Sequence, residues 1–222
     1  MSKNEKLKSP AYFFEILSVC KVHLVILYCT YMYSIKKRSD YVAVLMRQKE
    51  QVFHTQDLAV LWGISNKNNL HTVIKRYCKK GILHRIYKGM YSTVPLNEIH
   101  PWKLGAKALH DYCYISAETI LQKEGFINAA VRDITFVSNK SRVFCIGSNF
   151  YRSRKLQERF LFNPAGITEE NSVKIATPER AIADMLYFNP RANFDRPVDW
   201  EKVKRIQQAI GYPLTKDRYV HS

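Results

Sequence analysis

The polar side chains best suited to chemistry in this sequence lie on a helix predicted over residues 67–79. Its apolar residues recur at i, i+3, i+4 and i+7, which predicts one buried stripe. That stripe consists of Leu70, Val73, Ile74 and Tyr77. The opposite face and its flanks hold Lys67, Asn68, His71, Thr72, Lys75, Arg76 and Lys79. Because amides pair with adenine and cations bind guanine edges or phosphates, this face suits the recognition of duplex DNA.

Capping signals indicate that a shorter helix precedes this helix in the sequence. The hydroxyl of Thr55 can cap the first helix, which should end at Gly63, where glycine accepts a left-handed backbone. Ser65 or Asn66 can cap the second helix, and Gly81 should end it. The pattern therefore predicts two helices joined by a tight turn.

A basic hairpin follows. Strand-like runs at 82–87 and 90–94 are joined by Lys88-Gly89, with glycine where a two-residue turn needs a positive φ. Arg85 and Lys88 would lie on this hairpin within reach of the phosphate backbone. Helix, glycine turn, basic helix and basic hairpin in this order predict a winged helix-turn-helix. The alternative is a small helical domain whose charges are simply solvated.

Composition favours a polyanionic partner. The 222 residues include 35 Lys and Arg against 19 Asp and Glu, a formal charge of +16 with a pI near 9.7. Such a charge promotes binding to nucleic acid but does not specify a fold. The five cysteines are scattered without metal-ligand or disulfide spacing, which favours a reducing cytoplasm.

The first 38 residues allow three interpretations. Residues 11–33 are largely apolar and long enough to span a bilayer, and a basic cluster follows them. Three polar residues interrupt that run at a cost, and no signal-peptide cleavage site follows it. In the first interpretation the segment is a dispensable or wrongly included extension, and Met32 and Met46 are internal candidates for the first residue. In the second it is a helix packed on the protein, and in the third it is a membrane anchor.

The predicted fold class is α+β, a winged helix-turn-helix followed by a mixed α/β domain. Residues 1–38 form the extension, residues 39–95 the DNA-binding domain with a first helix over 39–50, and residues 96–222 the second domain. The polar, proline-bounded stretch 95–101 is the predicted boundary.

The second domain mixes both kinds of element. Helices are predicted at 102–112, at 116–125 with Ser116 as cap, after Thr177, and at 200–210. Strands are predicted at 133–138, 142–146 and 173–176, with short additions at 150–151 and 160–162.

A second basic patch is predicted in this domain. It comprises Lys140, Arg142, Arg152, Arg154, Lys155 and Arg159. It is either a solvated strand edge, where cations discourage edge pairing, or a second contact to DNA or RNA.

No constellation of residues supports catalysis, and neither a metal nor a cofactor is predicted. Gly147-Ser148 is not followed by the paired aspartates that a two-metal nucleotidyltransferase needs. A nuclease centre built on Glu118, Asp133 and Lys140 lacks an acidic ligand two residues before the lysine.

Over residues 39–190 the sequence resembles AbiEi-type antitoxins, the transcriptional regulators of type IV toxin–antitoxin systems. The resemblance is carried by DLAVLWGIS, the basic helix, KKGILHRIYKGMYST, YISAETILQKEGF and VKIATPERAIADMLYF. The recurring marks of the second domain stand at Tyr114, Ile115, Ser116 and Glu118, and at Ala176–Ala181. The family pattern does not call for residues 1–38.

The resemblance implies two functions. The winged helix would bind inverted repeats in its own promoter, as a monomer or a dimer, and repress the operon. The second domain, an AbiEi-like antitoxin domain, would counteract a nucleotidyltransferase-type toxin without requiring a stable complex. The alternative is a DNA-binding regulator whose second domain only dimerises or senses a ligand.

Overall fold

Three helices and a small antiparallel sheet form the first half of the chain. The structure, a computed structural model, describes residues 41–214. The elements of this half are α1 (41–46), β1 (Val52–His54), α2 (Thr55–Trp62), α3 (Lys67–Lys79), β2 (His84–Tyr87) and β3 (Met90–Ser92). The predicted glycine positions hold: Gly63 caps α2 with φ 62°, and Gly89 turns the hairpin with φ 66°.

In this sheet, whose order is β1-β3-β2, the strands β1 and β3 are buried, whereas the edge strand β2 is half-buried and exposes Arg85. Phe53 and Tyr91 are paired across it and pack against α1, α2 and α3 in a core of their own. Strand side chains alternate between faces, and the other face places Val52 and Met90 in the larger core of the second half. The sheet therefore contributes side chains to both cores.

A mixed sheet with helices on both faces forms the second half. A 3-10 helix at Leu96–Glu98 leads into it. Its elements are α4 (Pro101–Leu109), β4 (Cys113–Ile115), α5 (Glu118–Lys123), β5 (Asp133–Ser138), β6 (Arg142–Ile146), β7 (Asn149–Lys155), α6 (Glu158–Leu161), β8 (Ile167–Glu170), β9 (Val173–Ala176), α7 (Pro178–Phe188) and α8 (Trp200–Ile210). The strand order is β6-β7-β5-β4-β9-β8, with β5–β7 and β4–β9 parallel and the other pairs antiparallel. The fold is thus α+β.

Close packing fixes α4 on one face of this sheet. Gly105 lies so near the sheet that an added Cβ would stand 2.6 Å from the ring of Tyr151 and 2.7 Å from that of Phe136. The helices α5 and α7 cover the other face and contact each other.

Several predicted details are wrong. The cap of α2 is His54, and the Thr55 hydroxyl instead donates to the carbonyl of Gly89. Ser116 does not cap α5, because its hydroxyl donates a hydrogen bond to the buried Asp184 carboxylate. The run at 160–162, predicted as a strand, is the end of the short helix α6.

In the second half, the strands β4 and β8 have no counterpart among the predicted elements. The predictions for residues 1–38 and for the tail beyond residue 214 lie outside the described residues. None of the helices formed by residues 41–214 is long and apolar enough to cross a membrane.

Candidate nucleic-acid interface

The helix α3 presents a continuous polar face to solvent. Its apolar stripe is buried at Leu70, Ile74 and Tyr77, each no more than 4% exposed, while Val73 is half-buried. The predicted DNA-contacting residues on the other side are exposed, except for Arg76, which is half-buried. The exposed residues are Lys67, Asn68, His71, Thr72, Lys75 and Lys79.

Capping and aromatic packing set the orientation of this helix. The Asn66 side chain accepts hydrogen bonds from the backbone N–H groups of Asn68 and Asn69, at 3.0 and 3.1 Å. Near its other end, the ring of Tyr77 packs edge-on against Trp62 of α2 with centroids 5.5 Å apart. Side chains therefore hold both ends of α3, which fixes the direction in which its exposed face points.

The hairpin formed by β2 and β3 lies beside the C-terminal end of α3. Arg85 and Lys88 are both exposed on it. The hairpin tip is tied to α2, because the backbone N–H and the hydroxyl of Thr55 both donate to the Gly89 carbonyl, at 2.9 and 3.1 Å. The hairpin tip is thus fixed to the start of α2.

The segment that contains α3 and the hairpin is basic. Between Asp57 and Glu98 the sequence contains no acidic residue, and it contains the cations Lys67, Lys75, Arg76, Lys79, Lys80, Arg85 and Lys88. Burial raises the pKa of the Cys78 thiol, and the nearby charge of Arg85 opposes that shift. A negatively charged ligand would meet no acidic side chain along this part of the chain.

The side chains of the exposed face differ in what they can offer. The Thr72 hydroxyl donates to the Asn68 carbonyl at 2.9 Å, which leaves its lone pairs and its methyl group for a ligand. The Asn68 amide offers both a donor and an acceptor, and Lys75 offers only donors. The face therefore combines groups that discriminate bases with groups that bind phosphate.

The residues of the second basic patch lie on both faces of the sheet. Across the β6–β7 pair, Arg142 stands opposite Ser153 and Val143 opposite Arg152, so the side chains of Arg142 and Arg152 point to opposite faces. Arg142 lies over the ring of Phe144 and donates to the Ala108 carbonyl.

Carboxylates neutralise half of the patch. Lys140 pairs with Asp111 at 2.9 Å, Arg152 pairs with Asp133 at 2.9 Å, and Arg154 pairs with Glu118. Lys155 and Arg159 are exposed, and the Arg159 guanidinium lies 4.4 Å above the ring of Phe160. The six cations do not form one surface, and exchanging Arg152 or Arg154 for Glu would disrupt an ion pair.

A buried ion pair on α7 was not predicted from the sequence. Arg180 and Asp184 are both fully buried, with Nε and Oδ1 3.0 Å apart. Ser116 and Tyr212 each donate to the Asp184 carboxylate at 2.7 Å. The i, i+4 spacing of the two residues was the available signal.

The same network joins the motifs that carry the AbiEi resemblance. Arg180 Nη2 donates to the hydroxyl of Tyr114 at 2.7 Å, and the strands that precede Ser116 and Thr177 pair in parallel. Thr177 caps α7 as predicted, accepting from the backbone N–H of Arg180. Burial and the nearby Asp184 carboxylate raise the pKa of Tyr114, so its hydroxyl stays protonated. Tyr114, Ser116 and Arg180 of these motifs are fully buried.

Comparisons with known proteins give little further information. No family model and no curated protein match this chain. Among solved structures, the chain is similar to the crystal structure of the RV2827C protein from Mycobacterium tuberculosis, with a TM-score of 0.47 and 13% sequence identity. That similarity covers 80% of this chain and 72% of the other.

Proposed function

We propose that this protein is a transcriptional regulator that binds duplex DNA through a winged helix-turn-helix formed by α2, α3 and the β2–β3 hairpin. The observation that carries the proposal is the exposed face of α3, whose opposite side is buried. A helix of this kind fits the major groove of B-DNA. The hairpin would then lie along the adjacent phosphate backbone.

Each part of the surface has a distinct task in this proposal. Asn68 and His71 contact base edges, and the methyl group of Thr72 can contact thymine. Lys75 lies where it can reach a guanine edge or a phosphate. The remaining cations neutralise phosphates, which fixes the register of the protein on the duplex. They are Lys67, Arg76, Lys79, Arg85 and Lys88.

We further propose that the regulator is an antitoxin, on the strength of the AbiEi resemblance. In this role it represses its own promoter at inverted repeats, bound as a monomer or a dimer, and counteracts a nucleotidyltransferase-type toxin encoded alongside. A stable complex with the toxin is not required. The alternative is a regulator whose second half only dimerises or senses a ligand.

A promoter-reporter assay tests the regulator. We expect the full-length protein to repress a reporter driven by the DNA upstream of its own gene. The double variant Lys75→Ala/Lys79→Ala should relieve repression, because two cations leave the DNA-facing surface. The matched control Lys202→Ala/Lys204→Ala removes two lysines from α8 and should still repress. Repression that both double variants retain equally would contradict the proposal.

Co-expression tests the antitoxin. We expect the protein to restore growth of cells that express a neighbouring nucleotidyltransferase. Asn68→Ala should still do so from a constitutive promoter, because DNA recognition and neutralisation lie in different halves. If the protein does not restore growth although it represses its promoter, the antitoxin role is wrong and the alternative regulator stands.

A further inference from the structure

A cleft on the second half combines an aromatic ring with cations, away from the α3 surface. It has a volume of about 420 Å³ and lies between the start of α4, the end of α5 and the start of β5. Its lining includes Trp102, Gln122, Lys123 and Arg132. The volume is in the range of small-molecule sites.

Trp102 is a half-buried platform with a fixed position. The His100 side chain accepts a hydrogen bond from the Trp102 backbone N–H at 3.3 Å, and its ring lies edge-on to the indole at 5.6 Å. The preceding residue, Pro101, is held by the Tyr151 hydroxyl, which donates to its carbonyl at 3.1 Å. A planar ligand stacking on this indole would order few additional side chains.

Two cations flank the platform. The Lys123 ammonium lies 5.4 Å from the centre of the Trp102 ring. The Arg132 guanidinium is stacked 3.6 Å above the ring of Phe150, which orients its plane and leaves its edges for an anion. Of the two nearby carboxylates, Asp133 of the lining is paired with Arg152 at 2.9 Å, and Glu124 lies 4.0 Å from the Lys123 ammonium. The cleft therefore has a net positive charge beside an aromatic face.

We infer that this cleft binds an unpaired nucleotide, with the base stacked on Trp102 and the phosphate held by Lys123 and Arg132. An aromatic face and adjacent cations are the two features that unpaired nucleotides bind. The exposed Gln122 amide can hydrogen-bond to a base edge. The base takes the place of the Lys123 ammonium over the indole, and that ammonium then contacts the phosphate.

The same chemistry fits a free nucleotide and a nucleotide within single-stranded RNA. The experiment uses the full-length protein with two probes, AMP followed by calorimetry and a short labelled RNA of mixed sequence followed by fluorescence anisotropy. We expect Trp102→Ala to weaken binding by about tenfold, in line with the contribution of one stacked base. Trp102→Phe should restore most of the affinity, since it keeps an aromatic face.

Charge variants test the phosphate contacts. Lys123→Gln and Arg132→Gln should each weaken binding several-fold and reduce its salt dependence, whereas Lys202→Gln on α8 should not. Ribose 5-phosphate, which lacks a base, should not bind. Binding of both AMP and RNA indicates a free-nucleotide site, and binding of RNA alone indicates a site for a chain.

Two results would overturn the inference. One is equal affinity of wild type and Trp102→Ala for every probe that binds. The other is failure of wild type to bind either probe while it still binds its operator duplex. Because none of these substitutions lies on α3 or the hairpin, operator binding reports separately on the proposed regulator.

Discussion

At the scale of single residues, Lys75 should contribute to affinity through charge. Its side chain is exposed in the middle of α3, where it offers only hydrogen-bond donors. We expect Lys75→Ala to weaken binding to operator duplex and, if the contact is to phosphate, to lower the slope of log affinity against log salt by about one. Anisotropy titrations at several salt concentrations measure both quantities. Lys202→Ala is the control, and an identical salt slope together with unchanged affinity would remove Lys75 from the interface.

The buried Tyr151 hydroxyl and the buried Cys113 thiol should make the stability of the fold sensitive to alkaline pH. Burial raises the pKa of Tyr151 and that of Cys113 to about 12. In the unfolded chain the two groups lose their protons at lower pH than in the folded protein, because their ordinary pKa values are 10.0 for tyrosine and 9.0 for cysteine. Above about pH 9 the unfolded state binds fewer protons, so stability should fall as pH rises towards 12, by up to about 1.4 kcal/mol per pH unit for each group.

Urea unfolding at a series of pH values measures that loss of stability. Tyr151→Phe removes one ionisable group and one hydrogen bond. It should therefore lower stability near neutral pH by about 1 kcal/mol and make the alkaline decline shallower than in wild type. Parallel declines in the two proteins would show that Tyr151 does not retain its proton in the folded state.

At the scale of elements, α7 is held by its buried ion pair. The Arg180 guanidinium donates from Nη1 to the carbonyls of Asn163 and Ala165 and from Nη2 to Tyr114 and the Phe160 carbonyl, besides its contact with Asp184. Loss of the carboxylate would leave a buried charge without its counter-ion. We therefore expect Asp184→Asn to lower the free energy of unfolding by about 3–5 kcal/mol.

A matched control is available on the next helix. Asp199 caps α8, is half exposed, and accepts from the Lys202 backbone N–H at 3.1 Å. Asparagine caps helices about as well as aspartate, so Asp199→Asn should change stability little in the same urea titration. Equal losses in the two variants would show that the buried pair contributes no more than a surface cap.

Sequence patterns predicted the elements with strong local signals. The stripe on α3, its cap at Asn66 and the glycine turns follow from residues within one or two turns of each other. The strand β4 was missed because its three residues are all buried, so it shows no alternation. The run at 160–162 was misassigned because a short apolar run fits a strand or a helix equally well.

Long-range partners could not be predicted in the same way. Ser116 was expected at a helix cap, but its hydroxyl donates to Asp184, 68 positions away. Likewise, Asp133 and Arg152 stand on the paired strands β5 and β7, and no local pattern indicated that pairing. The exposed face of α3 was therefore predictable, and the neutralisation of the second basic patch was not.

At the scale of the whole molecule, the two halves share a core. Val52 and Met90 pack with the second half, and Glu50 pairs with Lys103 and Lys107 of α4 at 3.7 and 3.1 Å. We expect one cooperative unfolding transition, with Met90→Ala lowering stability by about 2–5 kcal/mol.

Two probes test this coupling. In a Trp102→Phe/Trp200→Phe variant, fluorescence comes from Trp62 in the first half, while far-UV circular dichroism reports on both halves. Coincident midpoints are expected in this variant and after adding Met90→Ala. Separate midpoints would mean that the halves unfold independently and that the shared core contributes little.

The central claim is that the exposed face of α3 distinguishes one duplex sequence from another. Its most direct test is the ratio of affinities for the operator duplex and a scrambled duplex at one salt concentration, measured for wild type, Asn68→Ala and His71→Ala. We expect a high ratio for wild type and a lower ratio for each variant, with affinity for the scrambled duplex nearly unchanged. Equal loss of affinity on both duplexes, with the ratio preserved, would contradict base recognition by this helix.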